Sequence, residues 1–297
     1  MNILQNINEG TFAFMKLRQH RVLHENGDTR VVEVSEMSDS SLRKVVKIYS
    51  GFKGRASKDF YSRISEEILV MSRLHHPNII RLEAAIYSKV ENSLSIITAL
   101  YGQGTLADVL HRRTLDIDSK WKIFIGIGGA LKYLHTKFTT HGDIKPPNIF
   151  VSGSGRAVLA DFDCARSLRE RKEVYTDEGK ATKIVAKTKV HNWTGTKHFR
   201  GPEYVRGFPT DPFLMDAYAL GTSMFIMYFD NLSPEKFNPE CYSKKILSAS
   251  AYPDKKSFHL LLAISRLVRR DPIMRRSIHR VLREVQLPEM KALIAKR

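Results

Sequence analysis

At 297 residues the chain exceeds one average domain, and 42% hydrophobic residues supply enough apolar material for a sizeable core. A formal charge of +17 and a pI near 9.8 point to an acidic partner (a protein surface, nucleic acid or an anionic membrane) or else to a solvated basic surface. Two cysteines far apart in sequence, Cys164 and Cys241, exclude a disulfide framework, so the expected setting is a reducing intracellular one, cytoplasmic or nuclear. Residues 1–5 lack the basic and apolar regions of a secretion signal. The longest apolar run, residues 214–229, is short for a membrane span and is interrupted by Asp216, so it reads as a buried helix and no membrane partner is expected. No repeat or low-complexity tract is visible.

In chain order, residues 7–15 hold one glycine, Gly10, among polar and aromatic residues. Residues 21–24 and 29–34 read as strands around Asn26-Gly27-Asp28, a hairpin turn signal, and residues 35–41 as a polar loop. Val45-Val46-Lys47-Ile48 is a β-branched strand carrying a single lysine. Phe60, Ile64, Ile68, Met71 and Leu74 recur at helical spacing, which predicts an amphipathic helix over residues 58–74 with Glu66 and Glu67 available for pairing. His76-Pro77-Asn78-Ile79-Ile80 follows as a turn. Residues 94–97 form a strand leading through Thr98, Ala99, Leu100 and Tyr101 to Gly102-Gln103-Gly104, whose glycines can act as a pivot. Asp118 or Ser119 can cap a helix running to about residue 137, with Trp121, Phe124, Leu131 and Leu134 on its apolar side. Gly126-Ile127-Gly128-Gly129 inside that helix follows no strand, so it reads as close helix packing and not as a phosphate loop.

The chemistry concentrates in His141-Gly142-Asp143-Ile144-Lys145-Pro146-Pro147-Asn148, followed beyond a Val/Leu-rich run by Asp161-Phe162-Asp163. A hydroxyl nucleophile needs a carboxylate to orient it and accept its proton, and a triphosphate needs metal held by hard oxygens. Asp143 fits the first need; Asn148 and Asp161 fit the second. This string resembles the catalytic and metal-binding loops of the eukaryotic-type serine/threonine protein kinases. Later stretches extend the resemblance over essentially the whole chain: Gly195-Thr196 through Gly201-Pro202-Glu203, Asp216-Ala217-Tyr218-Ala219-Leu220-Gly221, and Asp271-Pro272-Ile273-Met274-Arg275.

The resemblance implies a two-lobed α+β fold forming a single catalytic domain over residues 1–297. A small β-rich N-lobe with one main helix would span about residues 1–98, a hinge about 99–104, and a larger, mainly helical C-lobe about 105–297. It implies ATP and Mg2+ as cofactors, with Mn2+ an alternative ion, and protein substrates. Asp143 would be the base and Lys145 the cation steadying the transferring phosphoryl group, with Asn148 and Asp161 as metal ligands. Lys47 would pair with the α and β phosphates, held by Glu67, which the family spacing to the His-Pro-Asn turn selects over Glu66. Residues 7–15 would be the glycine-rich loop, with Asn8, Gly10 and Ala13 at its three glycine positions and Met15 at the following apolar one. Val45 would stand above the adenine, Thr98 would be the gatekeeper, Ala99 and Tyr101 would offer hinge backbone, and Phe150 completes the cofactor-binding set. Met71, Leu82, His141 and Phe162 would stack as an internal spine. Thr196 would contact Asp143 and Lys145, Glu203 would pair with Arg275, and Asp216 would brace the catalytic loop.

Departures from the family pattern carry expectations of their own. Gly142 replaces the arginine that receives an activation-segment phosphate, which implies turnover independent of such phosphorylation. Asp163 replaces a glycine and would either add a metal ligand or repel the triphosphate. Thr105 replaces the acid that often binds ribose, and the strands around Gly27 read as an insertion. Arg169, Arg171, Lys172, Lys180, Lys183, Lys187 and Lys189 crowd a long activation segment, which reads as a solvated loop or as a docking strip for acidic or prephosphorylated substrates. Two other functions fit parts of the pattern. A small-molecule kinase of the aminoglycoside or choline type echoes Gly142 and Asp163, and a pseudokinase scaffold suits Asn8, Ala13 and Asp163. Nucleic-acid binding rests on charge alone. The eroded glycine loop would suit a viral or otherwise fast-diverging member.

Overall fold

A computed structural model describes residues 4–7, 10–50, 58–112, 114–176, 179–186, 195–205, 210–229 and 254–285. The chain divides into two compact units, one of Met1–His75 and Ile79–Gly102, the other of His76–Asn78 and Gln103–Arg297.

The first unit is a β-sheet with one long helix. Its strands are β1 (Leu4–Ile7), β2 (Leu17–Asn26), β3 (Thr29–Glu36), β4 (Arg43–Tyr49), β5 (Ala84–Ser88) and β6 (Ser93–Ala99), ordered β1-β5-β6-β4-β3-β2. All neighbours are antiparallel except β1, which runs parallel to β5 at one edge. Antiparallel neighbours follow from short connections: β2 and β3 meet through Gly27-Asp28, with Asn26 opposite Thr29 and Gly27 at φ +53, where a Cβ would cost energy. Alternation then sorts the side chains. Val32, Val34, Val46, Ile86 and Ile97 build one face together with Leu17, and Phe12, Met15, Ile48 and Ala84 pack against them. Lys47 and Tyr49 alternate with Val46 and Ile48, so they point to the other face. The helix α2 (Lys58–Ser72) buries Ile64, Glu67, Ile68 and Met71 at helical spacing, close to the predicted span.

The second unit is mainly helical. Its long helices are α4 (Ile117–Thr136), α6 (Pro212–Phe229), α7 (Lys255–Leu267) and α8 (Ile278–Val285), after the shorter α3 (Leu106–Arg112). Their core is mainly apolar, with Phe124, Ile127, Leu131, Leu220, Phe225, Ile264 and Ile278 buried. The helix cap differs from expectation. Asp116, not Asp118 or Ser119, is the N-cap of α4, accepting the Ser119 N–H at 2.7 Å, because the side-chain oxygen must reach a backbone donor three residues on. The glycines within α4 do serve packing: a Cβ on Gly126 would lie 2.7 Å from Asn78, and one on Gly128 3.2 Å from Leu282. The apolar run read as a buried helix is α6, and among the described residues no helix is long and apolar enough to cross a membrane.

Candidate active site

In the first unit, β4 and β6 pair Val45 with Thr98 and Lys47 with Ile96, which puts Val45, Lys47 and Thr98 on one face of the sheet. Lys47 Nζ donates to Glu67 Oε1 at 3.3 Å, and Tyr49 Oη donates to Glu67 Oε2 at 2.6 Å. Glu67 is 4% exposed, so a charge there persists only because both oxygens are engaged. Glu66 is half-buried and takes no part in this pair.

The glycine-rich loop is not where residues 7–15 placed it. Gly10 precedes a helical turn, α1 (Thr11–Phe14), with Ala13 exposed inside it and Met15 at its end. Thr11 is tied to the sheet by its N–H to Glu91 Oε2 at 3.2 Å and its hydroxyl to Ser95 at 3.3 Å. Met15 packs on the Val46–Ile97 face, opposite Lys47. A loop cradling phosphates beside Lys47 has to lie on that lysine's side of the sheet, and Met15 lies on the other; Asn8 lies outside the described residues. The strand–turn–strand ahead of the lysine strand is the β2–β3 hairpin with Gly27 at its turn. Asn26-Gly27 between alternating residues was the signal that identified it.

In the second unit, β7 (Thr139–Thr140) leads into the loop 141–145, and a 3-10 turn at Pro146–Asn148 leads out to β8 (Ile149–Val151) and β9 (Ala157–Leu159). Asp143 is buried and receives Thr196 N–H on Oδ1 at 2.7 Å and Lys145 Nζ on Oδ2 at 2.7 Å, while Lys145 also donates to Thr196 Oγ1 at 2.8 Å. Burial alone would push the Asp143 carboxyl up; the hydrogen bonds from Lys145 and Thr196 outweigh it and hold the group below the usual carboxylate range. Asp143 therefore stays ionised and oriented near neutral pH. Buried Asp216 at the start of α6 accepts the His141 and Gly142 N–H groups, each at 2.9 Å, and pairs with His135 Nε2 at 3.2 Å. His141 packs edge-on against Phe162 at 4.9 Å, which joins the two members of the expected spine that belong to this unit.

The donors suit a small divalent ion. Asn148 Nδ2 donates to the Asp143 backbone oxygen at 2.9 Å, which fixes the amide so that Oδ1 is its acceptor. Asp161 holds φ +63, a strained value for a non-glycine residue of the kind found at functional sites. Among the described residues no group of three or more His, Cys, Asp and Glu could hold a metal ion. One carboxylate plus one amide oxygen is still an adequate protein share for Mg2+, which takes its other oxygens from phosphate and water. Asp163 is exposed beside this pair.

Thr105, at the ribose position, instead caps α3: its hydroxyl accepts from Asp108 N–H at 3.2 Å while Asp108 Oδ2 accepts the Thr105 N–H at 2.8 Å. Phe150 lies in β8, bridged to Thr105. Ala99 ends β6 and Tyr101 follows it half-buried. Glu203 and Arg275 form a buried two-point ion pair at 2.6 and 2.8 Å, and the guanidinium lies 4.8 Å from the Tyr218 ring.

The basic activation segment is not a plain loop. After β10 (Arg166–Ser167), which pairs with β7, it forms an antiparallel hairpin of β11 (Arg169–Thr176) and β12 (Gly179–Ala186) in register from Arg169–Ala186 to Thr176–Gly179. Lys187, Lys189 and the threonines at 188 and 194 lie outside the described residues.

Gly142 explains the missing arginine. It has φ +86, and a Cβ there would lie 2.5 Å from the Cys164 backbone oxygen. Gly142→Arg is therefore expected to destabilise the protein by roughly 2–5 kcal/mol, from backbone strain plus overpacking. An unchanged melting temperature would contradict this reading of the loop.

A family profile described as a protein kinase domain matches residues 22–285. Curated relatives include CBL-interacting protein kinase 32 of Oryza sativa subsp. japonica, 24% identical over 281 residues, which covers 94% of this chain and 56% of the relative. Serine/threonine-protein kinase SIK1 of Rattus norvegicus is 23% identical over 232 residues, 78% of this chain and 25% of the relative. Carbon catabolite-derepressing protein kinase of Candida albicans is 22% identical over 283 residues, 95% of this chain and 40% of the relative. The chain spans about half the length, or less, of these relatives. With a match this extensive, the chain belongs to the protein kinase family.

Proposed function

We propose that the chain transfers the γ-phosphate of ATP, with Mg2+, to serine or threonine hydroxyls of protein substrates. The observation that carries this is the Asp143 carboxylate, buried, ionised and aimed by Lys145 and Thr196. A base so held accepts the hydroxyl proton without first having to be reoriented. Lys47, steadied by Glu67, would bind the α and β phosphates, and Asn148 Oδ1 and the Asp161 carboxylate would hold the metal, which supplies charge neutralisation on the phosphates when bound. Val45, Thr98, Ala99, Tyr101 and Phe150 would contact the adenine. The clamp over the phosphates would be the β2–β3 hairpin at Gly27.

Acidic protein segments are the favoured substrate class. The β11–β12 hairpin contains Arg169, Arg171, Lys172, Lys180 and Lys183 against Glu170 and Glu173. β10, just ahead of it, pairs with β7, which leads into the catalytic loop, and Thr196 further along the same segment donates to Asp143. A substrate held on it would be presented to Asp143 at high effective concentration.

Labelled ATP offered with casein should yield labelled serine and threonine with Mg2+ but not with EDTA, and the transfer should survive prior phosphatase treatment, as expected without an arginine at 142. Lys47→Ala should reduce it severely. Label appearing on aminoglycosides or choline instead would sink the protein-substrate reading. A second reading, a catalytically impaired scaffold, is favoured by the exposed Asp163 carboxylate two residues from Asp161. ATP binding without any transfer would select it.

A further inference from the structure

No role for Tyr49 follows from the family resemblance, yet its hydrogen bond to Glu67 is shorter than that of Lys47: 2.6 Å from the phenol against 3.3 Å from the ammonium. Tyr49 ends β4, two residues beyond Lys47 and on the same face, and is buried. Its ring also lies 5.2 Å from the Lys47 ammonium, within cation–π range. One side chain therefore touches both members of the ion pair. We propose that Tyr49 is a positioning residue, a latch that binds α2 to β4 through Glu67 and keeps Lys47 in place for the nucleotide.

The physical argument is one of competition. Glu67 sits on a helix, and a lysine alone would hold it through four rotatable bonds. When phosphate oxygens draw the Lys47 ammonium, the Lys47–Glu67 contact must be shared or lengthened. A buried carboxylate cannot lose a donor cheaply, so a donor that phosphate does not compete for holds Glu67, and its helix, in place. The Tyr49 hydroxyl is such a donor, carried on a side chain with only two torsions and fixed by its own burial. Burial, reinforced by the Glu67 charge, pushes this phenol well above the ordinary tyrosine range, so it remains a donor at any working pH.

This rests on the reading of Lys47 as the phosphate-binding lysine, and the test separates the two. Tyr49→Phe keeps the ring and removes only the hydroxyl. Tyr87→Phe, which removes a hydroxyl bonded to Asn92 at 3.0 Å in the same sheet, is the control. ATP affinity is measured by titration with a fluorescent ATP analogue, alongside KM for ATP, KM for casein and hydrogen exchange of the α2 amides. Tyr49→Phe should weaken ATP binding and raise KM for ATP about tenfold, the worth of a hydrogen bond to a charged group. It should leave KM for casein unchanged and speed exchange in α2, while Tyr87→Phe does none of these. Faster exchange with unchanged ATP affinity would make Tyr49 merely structural and overturn the proposal, as would no change in either. If the wild-type chain binds ATP but transfers nothing, the active-kinase reading fails and the ATP titration still decides the latch. If it binds no ATP, both fall.

Discussion

Asp143→Asn is expected to lower kcat by about 10²–10⁴-fold while leaving ATP affinity near the wild-type value. The amide keeps the shape of the carboxylate but cannot take up a proton, so binding survives and chemistry does not. The loss should appear in single-turnover measurements, which separate the chemical step from product release. A kcat within threefold of wild type would remove Asp143 from the role of base. The pH dependence has a definite sign. The folded Asp143 carboxyl is held below its ordinary range, so its ionised form adds stability above the unfolded value, and that contribution is lost as pH falls through the folded one. Any loss of activity on mild acidification must then come from another group.

The second large effect is on stability. Glu203→Ala leaves the Arg275 guanidinium, itself buried, without its two-point partner, and is expected to cost about 3–5 kcal/mol. Removing both charges, as Glu203→Leu with Arg275→Met, should cost less than either single loss, because the penalty lies in the stranded charge more than in the absent attraction. Denaturant unfolding of the single and double variants measures this. Additive losses would show that the pair is no more than two independent packing contacts.

How far the fold and site could be read from sequence follows from what each local signal had to compete with. Asp143, Asn148 and Asp161 have the residue types that phosphoryl transfer needs, and the resemblance to the kinase catalytic and metal-binding loops gave them, with Lys145, their expected roles. Glu67 needed an external ruler, the distance to the His-Pro-Asn turn, because Glu66 is chemically identical. The hairpin at Gly27 was legible as a hairpin but was assigned the wrong place, because Gly10 offered a rival single glycine ahead of the same lysine. What separates them is the pattern around each: alternating residues on both sides of Asn26-Gly27, against Thr-Phe-Ala-Phe after Gly10, which closes into a helical turn. The activation-segment hairpin was hidden because lysine and arginine mask the strand signal of Val174, Ile184 and Val185. Tyr49 carried no signal at all. A tyrosine at the end of a buried strand reads as core, and only its hydroxyl distance to Glu67 distinguishes it.

The crowding at residue 142 reaches beyond the loop it belongs to. Cys164 presses on Gly142 from one side, and Gly195 could bear no side chain without meeting the Gly142 backbone oxygen on the other. Three stretches distant in sequence thus touch main chain to main chain, with no room for a residue that could be modified, charged or swapped between them. Replacing Gly142 alone cannot seat a phosphate-sensing arginine at that spot, since the neighbouring peptide groups would have to retreat together. A phosphate added to the activation segment therefore cannot be read by a side chain at position 142, and any ordering of that segment has to come from contacts such as Thr196 with Asp143.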